Sequence, residues 1–143
     1  MTLTLHVAEA IVRGALADAR ARAAKPLAVI VLDAGGHPVA FAREDGASLF
    51  RFDIARAKAL GALGMGDDTR TIAERAKANP VFYQSVTAAV GGNIAFSPGG
   101  VLVRNAGGDV IGAVGISGDT GDCDEECAIA GLHAAGLRAG PGQ

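Results

Sequence analysis

The six residues Leu27–Leu32, Leu-Ala-Val-Ile-Val-Leu, are apolar at every position, and no other segment narrows the possible folds as far. A strand with one face in water alternates polar and apolar side chains, so an unbroken run of this length reads as a strand covered on both faces. It leads into Asp33-Ala34-Gly35-Gly36, where paired glycines supply the positive φ of a tight hairpin, and Pro38–Arg43 reads as the returning strand. The same order recurs at Val103-Arg104-Asn105-Ala106-Gly107-Gly108, between strands expected at Val101–Arg104 and Asp109–Ser117. An Asx residue followed by Gly-Gly is what such turns select. The echo therefore places two antiparallel hairpins in one sheet.

Helical periodicity surrounds the hairpins. A helix is expected over 4–24, capped by Thr4 and ended by Pro26, and another over 51–63 with Phe52, Ile54, Ala55, Ala59 and Leu63 inward. Shorter helices are expected from about Thr71 to Ala78 and from Val81 to Val90, separated by Asn79-Pro80. A last helix is expected from Asp122, as a cap boxed by Glu125, to about Leu137, with Ala139–Gln143 frayed. Helices before, between and after doubly covered strands predict three α/β/α layers in one domain, residues 1–143.

The 13 Lys+Arg and 15 Asp+Glu leave a net charge of −2 with no basic run, which argues against nucleic acid or an anionic membrane as partner. No apolar stretch approaches the roughly 20 residues that span a bilayer. The first ten residues lack a secretory pattern, so a cytoplasmic location is expected. With no Trp, one Tyr and five Phe beside 21 Gly, the elements must meet over small side chains. Alanine-rich faces of that kind gain by burial against further copies, so a homo-oligomer is expected.

Few residues suggest chemistry. Gly112-Ala113-Val114-Gly115 lies inside a strand and does not open a helix, as a dinucleotide fingerprint must. Gly118-Asp119-Thr120-Gly121 leads into an acidic helix start, not into Gly-Lys-Ser/Thr, which excludes a Walker-type loop. His6 is expected in solvent and His133 packed. His37 follows the first Gly-Gly turn, on the face of Val39, Phe41 and Arg43 by strand alternation. The second hairpin has Asp109 at that place, so the turn itself does not demand histidine. Three readings stay open for His37: a metal or haem-iron ligand, an acid–base group, or a surface side chain. Lys58 falls on or beside a buried helix stripe, with its stem along apolar surface or its ammonium anchoring a carboxylate. Arg43, Glu44 and Asp45 end a strand where side chains can point into a cleft. Cys123 and Cys127 share one helix face, and buried structural cysteines fit better than a metal pair, because no further Cys or His completes a zinc spacing.

Several separated blocks carry a family resemblance: Val31-Leu32-Asp33-Ala34-Gly35-Gly36-His37, Phe41-Ala42-Arg43-Glu44-Asp45-Gly46-Ala47, Ile54-Ala55-Arg56-Ala57-Lys58-Ala59, Pro98-Gly99-Gly100-Val101 and Ile111–Gly118, with Asp124 and Ala130-Gly131 after them. Over nearly its whole length the chain resembles the GlcG/HbpS-like family, which includes the C-terminal domain of PduO-type proteins. The resemblance implies a profilin-like fold with a five-stranded antiparallel sheet between helices, self-association, and haem as a candidate ligand. The residues it carries over are His37, Arg43, Asp45, Lys58, Gly99, Gly100, Ser117 and Asp124, expected around one pocket. Leu102 stands where many members have proline, and the first residues do not read as the signal segment of exported haem-binding members, so extracellular haem scavenging is not expected.

Three functions follow as expectations. In a haem-binding or accessory protein, His37 is the axial metal ligand and Arg43 and Lys58 pair with the propionates. In an enzyme acting on a small carboxylate or oxo-acid, Lys58 and Arg43 hold the anion while His37 or Asp45 moves a proton. In a structural partner of an enzyme assembly, the Ala/Gly faces are the contact surface. The first two require His37 and Lys58 to converge on one hollow.

Overall fold

A computed structural model describes residues 2–140. Helix α1 (Leu5–Ala21) is capped by Thr4, whose hydroxyl accepts from the Val7 N–H at 3.2 Å. Strands β1 (Ala28–Asp33) and β2 (Pro38–Arg43) form the first hairpin. Helices α2 (Arg51–Met65), α3 (Thr69–Ala78) and α4 (Pro80–Ala89) follow, then the second hairpin, β3 (Gly100–Arg104) and β4 (Val110–Ser117), and α5 (Gly121–Ala134). The cap of α5 is Thr120, which accepts from the Cys123 N–H at 3.2 Å; Asp122 lies inside the first turn. The fraying expected at Ala139–Gln143 falls partly on residues 141–143, outside the described residues.

The hairpins join through their inner strands in the order β2-β1-β4-β3, every pair antiparallel. Val29, Val31, Val114 and Ile116 point to one face and meet α1 and α5; Ala28, Ile30, Leu32 and Ala113 point to the other and meet Ala55, Ala59 and Ala62 of α2. The three layers are those read from the sequence. Small residues set the spacing. A Cβ at Gly115 would run into the Ala55 carbonyl oxygen, and one at Gly131 would lie 2.5 Å from the Ile11 oxygen, so α2 and α5 each pack down onto backbone. Alanines 8, 15, 19, 55, 59 and 62 are all fully buried within one chain, so they are not the contact surface for other copies or for a partner protein.

The sheet has four strands among the described residues, not five. A fifth strand beside β3 would need that strand's outward N–H groups. Those of Gly100 and Leu102 are already taken by Thr69 Oγ1 at 2.8 Å and Asp68 Oδ1 at 2.9 Å, both at the start of α3. No helix among the described residues is long and apolar enough to cross a membrane.

Candidate functional site

The expected site residues separate into two groups at opposite ends of the sheet. At the end where Ala28 pairs with Arg43 and with Ser117, Lys58 enters from α2 and is 2% exposed. Its ammonium donates to the Ile116 carbonyl oxygen at 2.8 Å and to Asp124 Oδ2 at 3.1 Å. The other Asp124 oxygen accepts from the Asp119 N–H at 3.0 Å, and Ser117 Oγ accepts from Arg51 at 3.1 Å. Gly99 and Gly100 complete this corner. A Cβ at Gly99 would sit 2.8 Å from the Lys58 ammonium, and one at Gly100 would collide with the Lys58 carbonyl. The structure thus brings together Lys58, Gly99, Gly100, Ser117 and Asp124, and fills the space between them.

Burial dominates the electrostatics of the pair. It pushes the Lys58 pKa down and the Asp124 pKa up, and the attraction of each for the other only partly opposes it. Such a pair is costly to break, because either partner alone is a buried uncompensated charge. A carboxylate ligand reaching Lys58 would have to displace Asp124 from a closed corner. The geometry therefore assigns Lys58 to the fold, pinning α2 to β4 and α5.

Arg43 and Asp45 are exposed at the same sheet end and line a cleft of about 430 Å³ with Arg20, Pro26 and Glu44. Arg43 donates to the Ala47 carbonyl at 2.8 Å, and Arg20 is neutralised by Glu44 at 3.0 Å. Opposite charges are interleaved there, so no anion is singled out.

His37 lies at the other end. Its carbonyl accepts from the Asp33 N–H, level with Gly112, whereas the carbonyl that Lys58 holds is level with Val29. Four residues separate these levels, about 13 Å along the strands. The face differs too. Val31 pairs with Ala40 but Leu32 pairs with Pro38, leaving Val39 as the extra residue of a β-bulge. The bulge breaks the alternation, so His37 points to the α1 side with Asp33 while Phe41 and Arg43 point to the α2 side. One hollow shared by His37 and Lys58 does not exist in this chain.

What surrounds His37 is more specific than its exposure suggests. Asp33 Oδ1 accepts the backbone N–H groups of Gly35 and His37, each at 2.9 Å, and lies 3.2 Å from the imidazole Nδ1. These bonds, the His37 N–H first, hold the Asp33 carboxyl below the usual aspartate range. An Nδ1–H donated to Asp33 leaves the Nε2 lone pair free, the arrangement in which a carboxylate orients a metal-ligating histidine. Beside Asp33 and Gly35 opens a largely apolar hollow of about 420 Å³, walled by Thr2, Leu3, Ala34, Val110 and Ile111. The sequence reading singled out His37 but missed Asp33 as its orienting partner; the four-residue spacing across the turn was the available signal.

The remaining candidates carry less. His6 is exposed, as expected. His133 is exposed rather than packed, because α5 turns Cys127, Ala128, Gly131 and Leu132 inward and leaves position 133 beyond that stripe. Cys127 is buried and its thiol is pushed up to about 12, chiefly by that burial; burial also raises Cys123. Neither is a thiolate at neutral pH. Among the described residues no group of three or more His, Cys, Asp or Glu is placed to hold a metal ion by itself.

Residues 3–133 match the family model described as haem degrading protein HbpS-like. Among solved structures the chain is similar to PduOC, determined as a heme complex, with a TM-score of 0.87 and 24% identity over 100% of both chains. It is similar to HbpS, with a TM-score of 0.80 and 29% identity over 93% of this chain and 89% of that one. It is also similar to the Klebsiella pneumoniae protein ORFY, with a TM-score of 0.86 and 26% identity over 95% and 92%. No curated protein matches the sequence.

Proposed function

The chain belongs to the HbpS-like family, and from that premise we propose that it binds haem at the tip of its first hairpin, where His37 Nε2 would hold the iron. The observation that carries the reading is the Asp33–His37 contact at 3.2 Å beside an apolar hollow. Asp33 fixes the ring and its tautomer, and a neutral Nε2 is the form that ligates. Leu3, Ala34, Val110 and Ile111 offer the apolar wall against which a macrocycle edge loses water. Bound haem supplies an iron that accepts this nitrogen; the protein supplies orientation and an apolar surround.

The fold does not require the imidazole. At the equivalent turn of the second hairpin Asp109 occupies the place of His37, and the turn forms equally well. Arg43 and Lys58 leave the ligand set of this site, since they lie at the far end of the sheet and Lys58 is already paired. The carboxylate-enzyme reading loses its anion anchor for the same reason.

Titration with hemin, followed by visible absorption, tests the proposal. A saturable Soret shift is expected for the native protein, with His37→Ala weakening it strongly and His6→Ala and His133→Ala leaving it in place. Equal binding by His37→Ala and the native protein would overturn the assignment.

A further inference from the structure

Two sulfurs stand outside the haem reading. Cys123 and Cys127 lie one turn apart on the same face of α5, both as free thiols, at the sheet end away from His37. Side chains four residues apart on a helix have Cβ atoms about 5–6 Å from each other. Here the two thiols are close enough to share a hydrogen bond. Cys127 is fully buried in the core on the α1 side of the sheet, and the half-buried Cys123 is the side from which an ion can arrive.

The pair suits a narrow range of chemistry. Zinc takes four ligands, and among the described residues no third His, Cys, Asp or Glu completes a set. Burial raises both thiols, and Asp119 beside Cys123 and Asp18 beside Cys127 add to it, so neither sulfur is a ready thiolate for peroxide or for a borderline ion. A soft monovalent ion escapes both restrictions. Copper(I) is satisfied by two sulfurs in line, and its affinity for thiolate is high enough to displace the thiol proton.

One such ion with two thiolates carries a single negative charge, and the surroundings offset it. Cys123 lies in the first turn of α5, at the positive end of the helix dipole. The Arg22 guanidinium, at the end of α1, favours the anionic form of both sulfurs and is held in place by Asp18 at 2.7 Å and by Glu126.

We propose that Cys123 and Cys127 form a two-coordinate site for copper(I), bound as a bis-thiolate within one chain. Binding forms two Cu–S bonds, breaks two S–H bonds and releases both protons to solvent, with no change of oxidation state. The site stands apart from His37 and does not depend on haem binding.

Anaerobic titration of the full chain with copper(I), in competition with bathocuproine disulfonate, gives the test. The native protein is expected to hold one copper per chain against the chelator, with zinc(II) in excess leaving it in place. Cys123→Ser, at a half-buried position, should fold normally and lose the copper to the chelator. Cys127→Ala, which keeps the core apolar, should lose it as well, and His37→Ala should keep it. Copper K-edge absorption of the native complex should show two sulfur neighbours. A native protein that yields its copper to the chelator, a Cys123→Ser variant that keeps it, or half a copper per chain bridged by Cys123 of two copies would overturn the proposal.

Discussion

The two hairpin tips are almost the same object built twice. Asp33 and Asn105 each accept two backbone N–H groups across the turn, from Gly35 and His37 in one and from Gly107 and Asp109 in the other, at 2.9–3.0 Å. Gly36 and Gly108 have φ of +82° and +86°. Each hairpin carries one register shift just before its turn, at Val31/Leu32 and at Val103/Arg104. What differs is the chemistry left over once the turn is made: a carboxylate touching an imidazole at the first tip, an amide touching a carboxylate at the second. Because the same turn forms with Asp109 in that place, backbone geometry does not account for His37, and the haem site proposed above rests on this difference.

The comparison breaks most severely if ligand binding belongs to the buried corner instead. Lys58→Ala should lose about 3–5 kcal/mol in denaturant unfolding, because Asp124 stays buried without its partner. The double substitution Lys58→Met with Asp124→Leu should recover most of that and still bind hemin. A refolded double variant unable to bind would move the site to the corner.

Next in size is the pair Asp33→Asn with His37→Asp, which rewrites the first tip in the manner of the second, an amide beside a carboxylate. Hemin affinity should collapse while unfolding free energy stays within about 0.5 kcal/mol of native, as for a surface change. Asp33→Asn is milder, with an expected loss of about 10–100-fold in hemin affinity, the usual range for removing the carboxylate behind a ligating histidine. Retained affinity in both variants would reduce the difference between the tips to coincidence.

Glycine substitution sharpens the structural half. Gly36→Ala and Gly108→Ala each force a Cβ into left-handed backbone and should cost about 1–2 kcal/mol. Gly36→Ala should be the worse by a few tenths, since its Cβ would press on Leu60 Cδ2 at 3.1 Å whereas nothing lies near Gly108. Clearly unequal costs in the other direction, measured by chemical denaturation, would show the turns to be less alike than their bonds.

The smallest effect is a titration. Asp33 has its folded pKa depressed, so its contribution to stability is present above the unfolded value near 3.8 and is lost as pH falls through the lower folded value. NMR of the side-chain carboxyl should place the midpoint below 3.8. A midpoint at or above that value would mean that the turn bonds do not hold the carboxylate.

The hairpins, the layers and most helix limits were legible in the sequence because each rests on a local signal: the Asx-Gly-Gly turns, the apolar run at Leu27–Leu32, Asn79 before Pro80. The missing fifth strand was not legible, because the edge of β3 is closed by Asp68 and Thr69, some thirty residues earlier, through side-chain bonds that leave no periodic trace. The face of His37 was misread for a related reason. Alternation holds only until a bulge, and Val39 looks like any other strand residue. Lys58 was recognised as unusual, but its partner Asp124 lies 66 residues away, so whether the ammonium was free or spent could be decided only in three dimensions.

Where the iron sits decides the account. A crystal structure of the hemin-loaded protein should show it bonded to His37 Nε2 at the first hairpin tip, with Asp33 still on Nδ1 and Leu3 and Ile111 against the macrocycle. Iron on His6 or His133, or a haem lodged in the Lys58 corner with His37 left in water, would contradict it.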